Sequence, residues 1–553
     1  MRTGTNRVSK KLDTSFLNLI DRLMLMVVLV SVLLFIFYPM MAVIKKSFIV
    51  NGEFTLKIYQ DLFNNNAKLL KNSLLVATFT TIISTVFSTT VAIYISFTNK
   101  KYRKLLTLIL MLTMISPPFV SSLAYISLFG RRGFVTHGIL GLTVNTYGWQ
   151  GIVAMQSLGF TSLNALMLIG VINGIDKSLL NSSLDLGASS SYTIRRIVIP
   201  LMRPGIIVAA LLTFVRSLAD FSTPIIIGGS FNVLATQAYL NVVAYSNLPM
   251  AAAISILLFL PAIIAFILYR ILMKDSNIIT GANLREETNE DILSIKGFFP
   301  RLLQIMTYFF LIMMVLQYLS IFISALTKQK FGSIYFTLDN IRESKNYISG
   351  SFIRSILYSL IAGVVGSIIG FLISYYLELR KIKGMKIIDF ISTMPYIIPG
   401  TFFGLGYILA FNNYPLELTG TALIVILNCI FKQLPLPTKV SSATISQINP
   451  QINEASKDLG AHELYSLKDI IVPMSKPAFL VSFINNFTAT MTTVGSIIFL
   501  VYPGKKLATL VMFDAIQSGK YRIGSVIACF LILITLTVNI IFAKFILEDK
   551  NVY

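Results

Sequence analysis

Long apolar runs alternate with short polar, basic segments along this chain. The first run, "LMLMVVLVSVLLFIFYPMMAVI" at 23–44, holds no charged residue. It is longer than the roughly 20 residues that an α-helix needs to cross a bilayer. The runs are continuously apolar and lack the two-residue alternation of membrane strands. The pattern therefore predicts an all-α integral membrane protein.

Twelve spans of this kind are predicted, six in each half of the chain. A polar stretch of mixed charge at 274–300 reads as a linker between a first module at 1–273 and a second at 301–553. The predicted spans lie near 23–44, 73–97, 105–129, 151–173, 205–228, 250–272, 302–326, 355–377, 386–410, 420–437, 478–501 and 523–546.

The two halves are repeats of each other. The segment "DLGASSSYTIRRIVIPLMRP" at 185–204 returns as "DLGAHELYSLKDIIVPMSKP" at 458–477, each residue 273 positions further on. We name these the first and second polar segments. Six spans in each half make the repeats parallel, so both polar segments lie on one side of the membrane. The clusters "NKKYRK" (99–104) and "ELRKIKGMK" (378–386) favour the cytoplasm for that side and for both termini.

Each polar segment predicts a short helix, a glycine turn and a second short helix that ends at proline. An ordinary amphipathic loop on the membrane surface is the alternative for a single copy. Two copies with matched glycine and proline positions favour a pair of docking elements for a partner with two equivalent sites, most simply a homodimer.

Composition agrees with this interpretation. The chain is 55% hydrophobic and 13% charged, against roughly 25% charged in soluble domains. Its net charge of +22 resides in the short segments between apolar runs, which favours anionic lipid over nucleic acid as the partner. Cys429 and Cys529 lie inside apolar runs and read as buried thiols.

At the polar segments the chain resembles permease subunits of binding-protein-dependent ABC importers. Their signature has Glu-Ala-Ala, three residues, Gly, and about thirteen residues to a Pro. Glu454, Ala455, Gly460 and Pro473 match it in the second copy. The first copy keeps Gly187, Ala188 and Pro200, with Asn181, Ser182 and Ser183 in place of Glu-Ala-Ala, so the two contacts with the partner are expected to be unequal.

The resemblance implies a type I importer permease with two fused modules in a bacterial plasma (inner) membrane. It implies a cytoplasmic ABC ATPase homodimer, an external solute-binding protein and no cofactor. Fused architecture and the run at 217–240 resemble iron(III) permeases; 2-aminoethylphosphonate, thiamine, sugar phosphates and polyamines are the alternative solutes. The residues implied to couple to the ATPase are Asp185, Gly187, Ala188, Tyr192, Pro200, Glu454, Ala455, Asp458, Gly460, Ala461, Tyr465 and Pro473.

No catalytic or metal site is predicted. "YPGKK" at 502–506 has Phe499 and Lys506 where a phosphate-binding loop needs Gly and Ser or Thr. His137 and His462, the two histidines, stand far apart without metal-ligand spacing. ATP hydrolysis is therefore assigned to partner subunits, and a membrane-embedded enzyme is disfavoured.

Polar residues inside spans are the candidates for a translocation path or gate. Arg216 and Asp220 stand one helical turn apart in the fifth span, where they can pair along the path or brace neighbouring helices. The matched span of the second half is polar without charge, and such residues also join membrane helices. Further candidates are Thr223, Asn485, Asn486, Thr490 and Thr493.

Two alternatives concern the spans themselves. An ion-coupled secondary transporter would use several intramembrane carboxylates, whereas Asp220 is essentially the one found. Glycine and proline interrupt the third and ninth spans at 115–122 and 394–406, which indicates either moving gate elements or ordinary proline kinks.

Overall fold

A computed structural model of the chain describes residues 2–50, 52–114, 118–273, 297–330, 333–348, 350–502 and 504–549. Of the predicted linker, only residues 297–300 belong to this described part. Helices make up most of it, as the apolar runs predict.

The helices follow the chain in two comparable series. Those of the first half are α1 (Arg2–Val32), α2 (Tyr38–Phe48), α3 (Lys57–Phe97), α4 (Lys100–Met114), α5 (Pro118–Phe129), α6 (Trp149–Asn173), α7 (Lys177–Asp185), α8 (Ser190–Thr193), α9 (Ile199–Ala219), α10 (Ser222–Ile227), α11 (Leu234–Val243) and α12 (Leu248–Met273). Those of the second half are α13 (Phe298–Leu326), α14 (Asp339–Ile348), α15 (Ser351–Glu378), α16 (Met385–Thr393), α17 (Gly400–Phe411), α18 (Ala422–Gln433), α19 (Pro435–Ile445), α20 (Pro450–Asp458), α21 (Glu463–Ser466), α22 (Val472–Met474), α23 (Lys476–Thr492), α24 (Ala508–Gln517) and α25 (Tyr521–Asp549).

Irregular turns join several of these helices. A 3-10 turn at Met394–Tyr396 continues α16. Stretches of π-helix lie at Leu33–Phe37, Phe134–Ile139, Ile194–Val198 and Leu467–Ile471.

Two small antiparallel hairpins also occur, which the hydrophobic pattern does not predict. Strands β1 (Ile49–Val50) and β2 (Glu53–Phe54) follow α2, and β3 (Thr327–Lys330) and β4 (Ser333–Phe336) follow α13. Each hairpin therefore comes directly after the first long helix of its half. Their strands are too short for two-residue alternation to stand out in the sequence.

Ten of the twelve predicted spans have a counterpart by length and composition. Eight described helical segments are long and apolar enough to cross a membrane, and two bent pairs raise the number to ten. The pairs are α16 with α17, bent by 115°, and α18 with α19, bent by 45°. The other two predictions correspond to α4 and α5, between which 115–117 lie outside the described residues, and to α23, which has 17 residues.

One compact unit comprises Ser47–Ser351 and Ala508–Leu536. Its buried core draws side chains from α3, α4, α6, α9 and α13. Helix α13 packs on α3 through Tyr308 against Tyr94 and Phe310 against Phe87, with ring centroids 5.8 and 6.3 Å apart. Aromatic pairs at such separations stabilise packing beyond the area they bury.

The other compact unit comprises Met1–Lys46, Phe352–Leu507 and Thr537–Tyr553. The π-turn after α1 packs here on α17 and α18. Phe35 stacks on Phe431 with centroids 5.0 Å apart, and the Tyr407 hydroxyl donates to the Phe35 carbonyl at 2.9 Å.

The packing units do not follow the sequence repeat. In each unit the first long helix of one half packs against helices of the other half: α1 against the second half, and α13 against the first. The boundaries at 273 and 301 therefore describe the repeat in the sequence and not the packing units. Each half contributes its first long helix to the packing of the other half.

Glycines set the spacing between helices in the second unit. A Cβ on Gly370 of α15 would lie 2.5 Å from the Pro437 Cβ and 2.8 Å from the Thr438 amide nitrogen, both on α19. Small residues allow such close approach of membrane helices. We therefore expect Gly370→Ala to destabilise the protein by about 1–3 kcal/mol, because a backbone has to move.

Gly170→Ala is the matched control, because Gly170 is helical and an added Cβ there has no heavy atom within 4 Å. Alanine should be neutral or stabilising at that site by about 0.5–1 kcal/mol. The thermal unfolding midpoint of each purified variant in detergent measures both effects. Equal midpoints for the two variants would contradict the close approach of α15 and α19.

Candidate functional site

The first polar segment is a helix–turn–helix. The Asp176 carboxylate caps α7 by accepting from the Ser178 amide at 2.9 Å, which holds the pKa of that carboxyl below its ordinary value. Helix α7 ends at Asp185, and the turn after it contains Gly187, whose φ of +83° lies in the left-handed region that favours glycine. Ser189 then caps α8 through the Tyr192 amide at 3.3 Å.

The second polar segment has the same backbone geometry. Asn449 caps α20 through the Gln451 amide at 3.0 Å, and His462 caps α21 through the Leu464 amide at 3.2 Å. Gly460 has a φ of +82°.

The hydrogen bonds of the two turns also agree. The glycine amide donates at 2.8 Å in both segments, to Leu184 in the first and to Lys457 in the second. The alanine amide that follows donates at 3.1 Å to the carbonyl of Ser183 in the first and of Ser456 in the second. The two turns are therefore structural copies.

Each polar segment carries an exposed leucine and an exposed tyrosine. Leu186 and Leu459 are 88% and 89% exposed, and Tyr192 and Tyr465 are 56% and 52% exposed. Fully exposed leucines at the same turn of two repeated elements indicate a surface that a partner covers. The sequence interpretation left these leucines out of the candidate set, although their recurrence 273 residues apart was the available signal.

The predicted coupling residues lie on or beside these turns. The exposed ones are Asp185, Gly187, Tyr192, Glu454, Ala455, Asp458, Gly460, Tyr465 and Pro473. Ala188, Ala461 and Pro200 are partly buried, the alanines beneath the turns and the proline at the start of α9. A role in coupling stays a prediction for all twelve.

The two segments differ in what holds them. In the first, the Arg195 guanidinium lies 4.2 Å from the centroid of the Phe299 ring at the start of α13. In the second, a ring nitrogen of His462 lies 3.1 Å from the side-chain oxygen of Asn18 in α1.

An ion-pair network also joins the second segment to α1. Glu463 pairs with Arg380 and, at 3.0 Å, with Lys457. Arg380 also pairs with Asp21 of α1 at 3.2 Å, and the Tyr376 hydroxyl donates to the same carboxylate at 3.0 Å. Networks of partly buried charges hold geometry better than single surface pairs do. The second segment is therefore fixed by charge, and the first by an aromatic ring.

Asp220, a predicted path residue, ends α9 and caps the start of α10. Its Oδ1 accepts from the Ser222 amide at 2.9 Å, the Ser222 hydroxyl at 2.6 Å and the Thr223 amide at 3.2 Å. Its Oδ2 accepts from the Gln156 side-chain amide at 2.9 Å. The carboxylate is therefore held by four donors at a helix break.

Gln156 and Ser217 complete this cluster and were missed in the sequence. The Ser217 hydroxyl donates to Gln156 Oε1 at 2.5 Å, and the Thr80 hydroxyl donates to the same oxygen at 3.2 Å. Gln156 thus links α3, α6 and α9. A side-chain amide in an apolar span was the signal, since buried polar groups need partners.

The polar span of the second half arranges its candidates differently. Asn486 and Thr490 are buried in α23, and Asn486 lies against Gly366 of α15. Asn485 is exposed. Thr493 takes the place of Asp220 at the end of its helix, and its hydroxyl lies 3.4 Å from that of Ser496. The structure brings Asp220 and Thr223 together; Arg216 is partly buried on the same helix.

Within the described residues, no group of three or more His, Cys, Asp or Glu side chains is placed to hold a metal ion. The arrangement fits a docking and positioning role. Two matched turns face outward from their helices, and polar clusters sit at helix breaks inside spans.

Comparison with known proteins agrees with this picture. The model of the family described as "Binding-protein-dependent transport system inner membrane component" matches residues 84–276 and 366–547. A ferric transport system permease protein of Actinobacillus pleuropneumoniae is 28% identical over 96% of this chain and 78% of its own length. A putative ferric transport system permease protein of Haemophilus influenzae is 30% identical over 86% of the chain and 77% of its own length. A putative 2-aminoethylphosphonate transport system permease protein of Salmonella paratyphi A is 26% identical over 41% of this chain and 87% of its own length.

The cap at Asp220 makes a testable prediction. Asp220→Ala removes the acceptor of two backbone amides and of the Gln156 side chain. We therefore expect the free energy of unfolding to fall by about 1–3 kcal/mol. Asp220→Asn keeps one acceptor oxygen for the amides, so its stability should fall less than that of Asp220→Ala. Thermal unfolding midpoints in detergent rank the variants.

Thr493→Ala is the control, because this residue ends the matching helix without a charged cap. A midpoint for Asp220→Ala no lower than that of Thr493→Ala would refute the capping role of the carboxylate.

Proposed function

This chain belongs to the family of binding-protein-dependent transport system inner membrane components, and from that premise we propose that it forms the membrane channel of an ATP-driven solute importer. The observation that carries the proposal is the pair of polar segments with matching backbone hydrogen bonds. A chain with two identical docking turns suits a partner with two equivalent sites, such as an ATPase homodimer.

The docking turns supply the contact. In this proposal the exposed Leu186 and Leu459 enter an apolar cleft on each ATPase subunit, with Tyr192 and Tyr465 beside them. Burial of one leucine contributes about 1.5–3 kcal/mol. The polar residues of the coupling set surround the leucine and orient the turn. The chain itself hydrolyses nothing; closure of the ATPase pair moves the two turns.

Sidedness follows from the same contacts. Asn18, near the start of the chain, contacts His462 of the second polar segment, and Asp21 is linked to Glu463 of that segment through Arg380. This supports a location of the N-terminus and the polar segments on one side, which the basic clusters favour as cytoplasmic. An external solute-binding protein would then dock on the opposite side.

The path residues take part as follows in our proposal. Asp220 and Thr223 lie at the break between α9 and α10, and Thr493 at the corresponding end of α23. Non-helical backbone at membrane depth is tolerated where it is buried or lines a cavity. These breaks, with Arg216, Asn485, Asn486 and Thr490, would line or gate the route that opens alternately to the two sides.

Iron(III) is the solute that the similarities favour. The two relatives named for ferric transport match 96% and 86% of this chain, whereas the relative named for 2-aminoethylphosphonate matches 41%. The phosphonate stays as the second candidate because that relative is matched over 87% of its own length.

ATPase activity tests the docking proposal. The chain is purified with its ATPase subunits in nanodiscs, and Leu186→Asp and Leu459→Asp are compared with wild type. An aspartate in the apolar cleft should weaken assembly at least tenfold, equivalent to about 1.4 kcal/mol. Affinity is read from subunit titration, and hydrolysis from phosphate release.

The matched control is Leu142→Asp, because Leu142 is an exposed leucine outside both polar segments. It should assemble and hydrolyse ATP as wild type does. Normal assembly of both segment variants would remove the main support for the importer proposal.

Uptake identifies the solute. Proteoliposomes that hold the complete transporter receive binding protein loaded with radiolabelled ferric ion or with 2-aminoethylphosphonate. ATP-dependent accumulation of iron is expected. Accumulation of the phosphonate alone would transfer the proposal to the second candidate.

A further inference from the structure

Lys432, in the tenth predicted span, places its side-chain ammonium at the break of the ninth. It lies in α18, two residues before the bend to α19. Its ammonium donates to the Pro395 carbonyl at 2.5 Å and the Ile398 carbonyl at 2.7 Å. The ring centroid of Phe403 lies 5.8 Å away. A lysine at this depth is costly and marks a functional position by default.

The Pro395 carbonyl needs a donor because of Pro399. The Ile398 amide still donates to the Met394 carbonyl at 3.2 Å, so the helical pattern runs to residue 398. The next bond would join the amide of residue 399 to the Pro395 carbonyl, and proline has no amide hydrogen. Lys432 therefore replaces the hydrogen bond that Pro399 cannot make, at a place where water is scarce.

The break separates two helices with different attachments. On one side, α16 is tied to α19 by an ion pair of Asp389 with Lys439 at 2.8 Å. Lys432 attaches the end of the same helix to α18. These contacts make α16 follow the α18–α19 pair.

On the other side, α17 is held through its glycines. A Cβ on Gly404 would lie 2.4 Å from the Ser496 carbonyl, and one on Gly406 would lie 2.8 Å from the Pro39 carbonyl of α2. Helix α17 is therefore packed against the turn that follows α23 and against α2, two elements that none of the α16 contacts described above involves; it meets Lys432 through the ring of Phe403.

The α18–α19 pair leads directly to the second polar segment. Helix α19 ends at Ile445, and residues 446–449 connect it to α20, whose last residue, Asp458, is the first residue of that segment. We propose that Lys432 is a positioning residue that carries movement of the second polar segment into the hinge at 397–399. This inference rests on the proposed function, in which the ATPase pair moves the segment.

The first half has no lysine at the position that matches Lys432. The residue 273 positions before Lys432 is Gly159, where an added Cβ would meet no heavy atom within 4 Å. Helix α6 runs unbroken through this position from Trp149 to Asn173. The two halves therefore transmit movement of their polar segments by different contacts.

The test measures the hinge directly and needs no solute. Spin labels on cysteines at Ile387 and Asn412 report the distance across the break by double electron–electron resonance, with Cys429 and Cys529 replaced by alanine. The complex with its ATPase is studied in nanodiscs without nucleotide and with ATP and vanadate. Wild type should change its label distance between the two states.

Three variants separate positioning from general stability. Lys432→Met should lose the nucleotide-dependent change, because α16 is no longer tied to α18. Adding Pro399→Ala should restore the change, because the new amide hydrogen pairs with the Pro395 carbonyl. Lys383→Met, an exposed lysine in the same half, is the control and should behave as wild type.

The outcomes are distinguishable. An unchanged distance response in Lys432→Met, or no restoration by Pro399→Ala, overturns the role of Lys432 and leaves the importer proposal standing. A wild-type distance that ignores nucleotide overturns both. If Lys432→Met does not fold, the double variant decides: a folded protein with the wild-type response supports the inference, and an unfolded one refutes it.

Discussion

Inside a bilayer a backbone carbonyl has no water to bind, so every interruption of a helix has to find its hydrogen bonds within the protein. This constraint explains why charged side chains lie at the interruptions of helices in this chain. Asp220 pairs the amides at the start of α10, and Lys432 pairs the carbonyls at the end of the 3-10 turn after α16. An acid serves amides and a base serves carbonyls, as the opposite ends of a helix require. Both breaks depend on one charged residue each.

The same need for satisfied backbone explains how two turns of different sequence share one shape. The left-handed glycine, the bonds around it and the cap three residues on from Leu186 and Leu459 are the same in both polar segments. Ser189 and His462 are chemically unlike, yet both accept the hydrogen bond of a helix start. A turn held by its own backbone can vary its side chains without losing its shape.

The two polar segments do differ in the side-chain contacts that hold them. The second segment is held by Arg380, Glu463 and Asp21, and the first by Arg195 on an aromatic ring. The fourth span of the first half is one unbroken helix, whereas its counterpart bends by 45°. In the importer that we propose, two ATPase contacts of the same shape would then act on the two halves through two different sets of contacts.

Much of this protein could be predicted from contiguous residues. The apolar runs predict the helices, and the prolines and glycines of 394–406 indicate the break between α16 and α17; for the interruption at 115–122, residues 115–117 lie outside the described part of the chain. The repeat of 185–204 at 458–477 predicts the paired helix–turn–helix elements. These features succeed because helix formation, capping and turns depend on residues within a few positions of each other. The candidate turns were found in this way, although their exposed leucines were not selected.

The tertiary structure alone decided which distant groups meet. Nothing in the sequence pairs Lys432 with carbonyls of residues 395 and 398, Arg380 with Asp21, or Gln156 with Asp220. The exchange of α1 and α13 between the halves was equally hidden, and so was the size of the bend in the ninth span, 115°. An apolar face shows that a helix is covered but does not identify its partner, because burial is non-directional. The partners emerge only when all helices pack together, and they decide which polar residue stabilises which break.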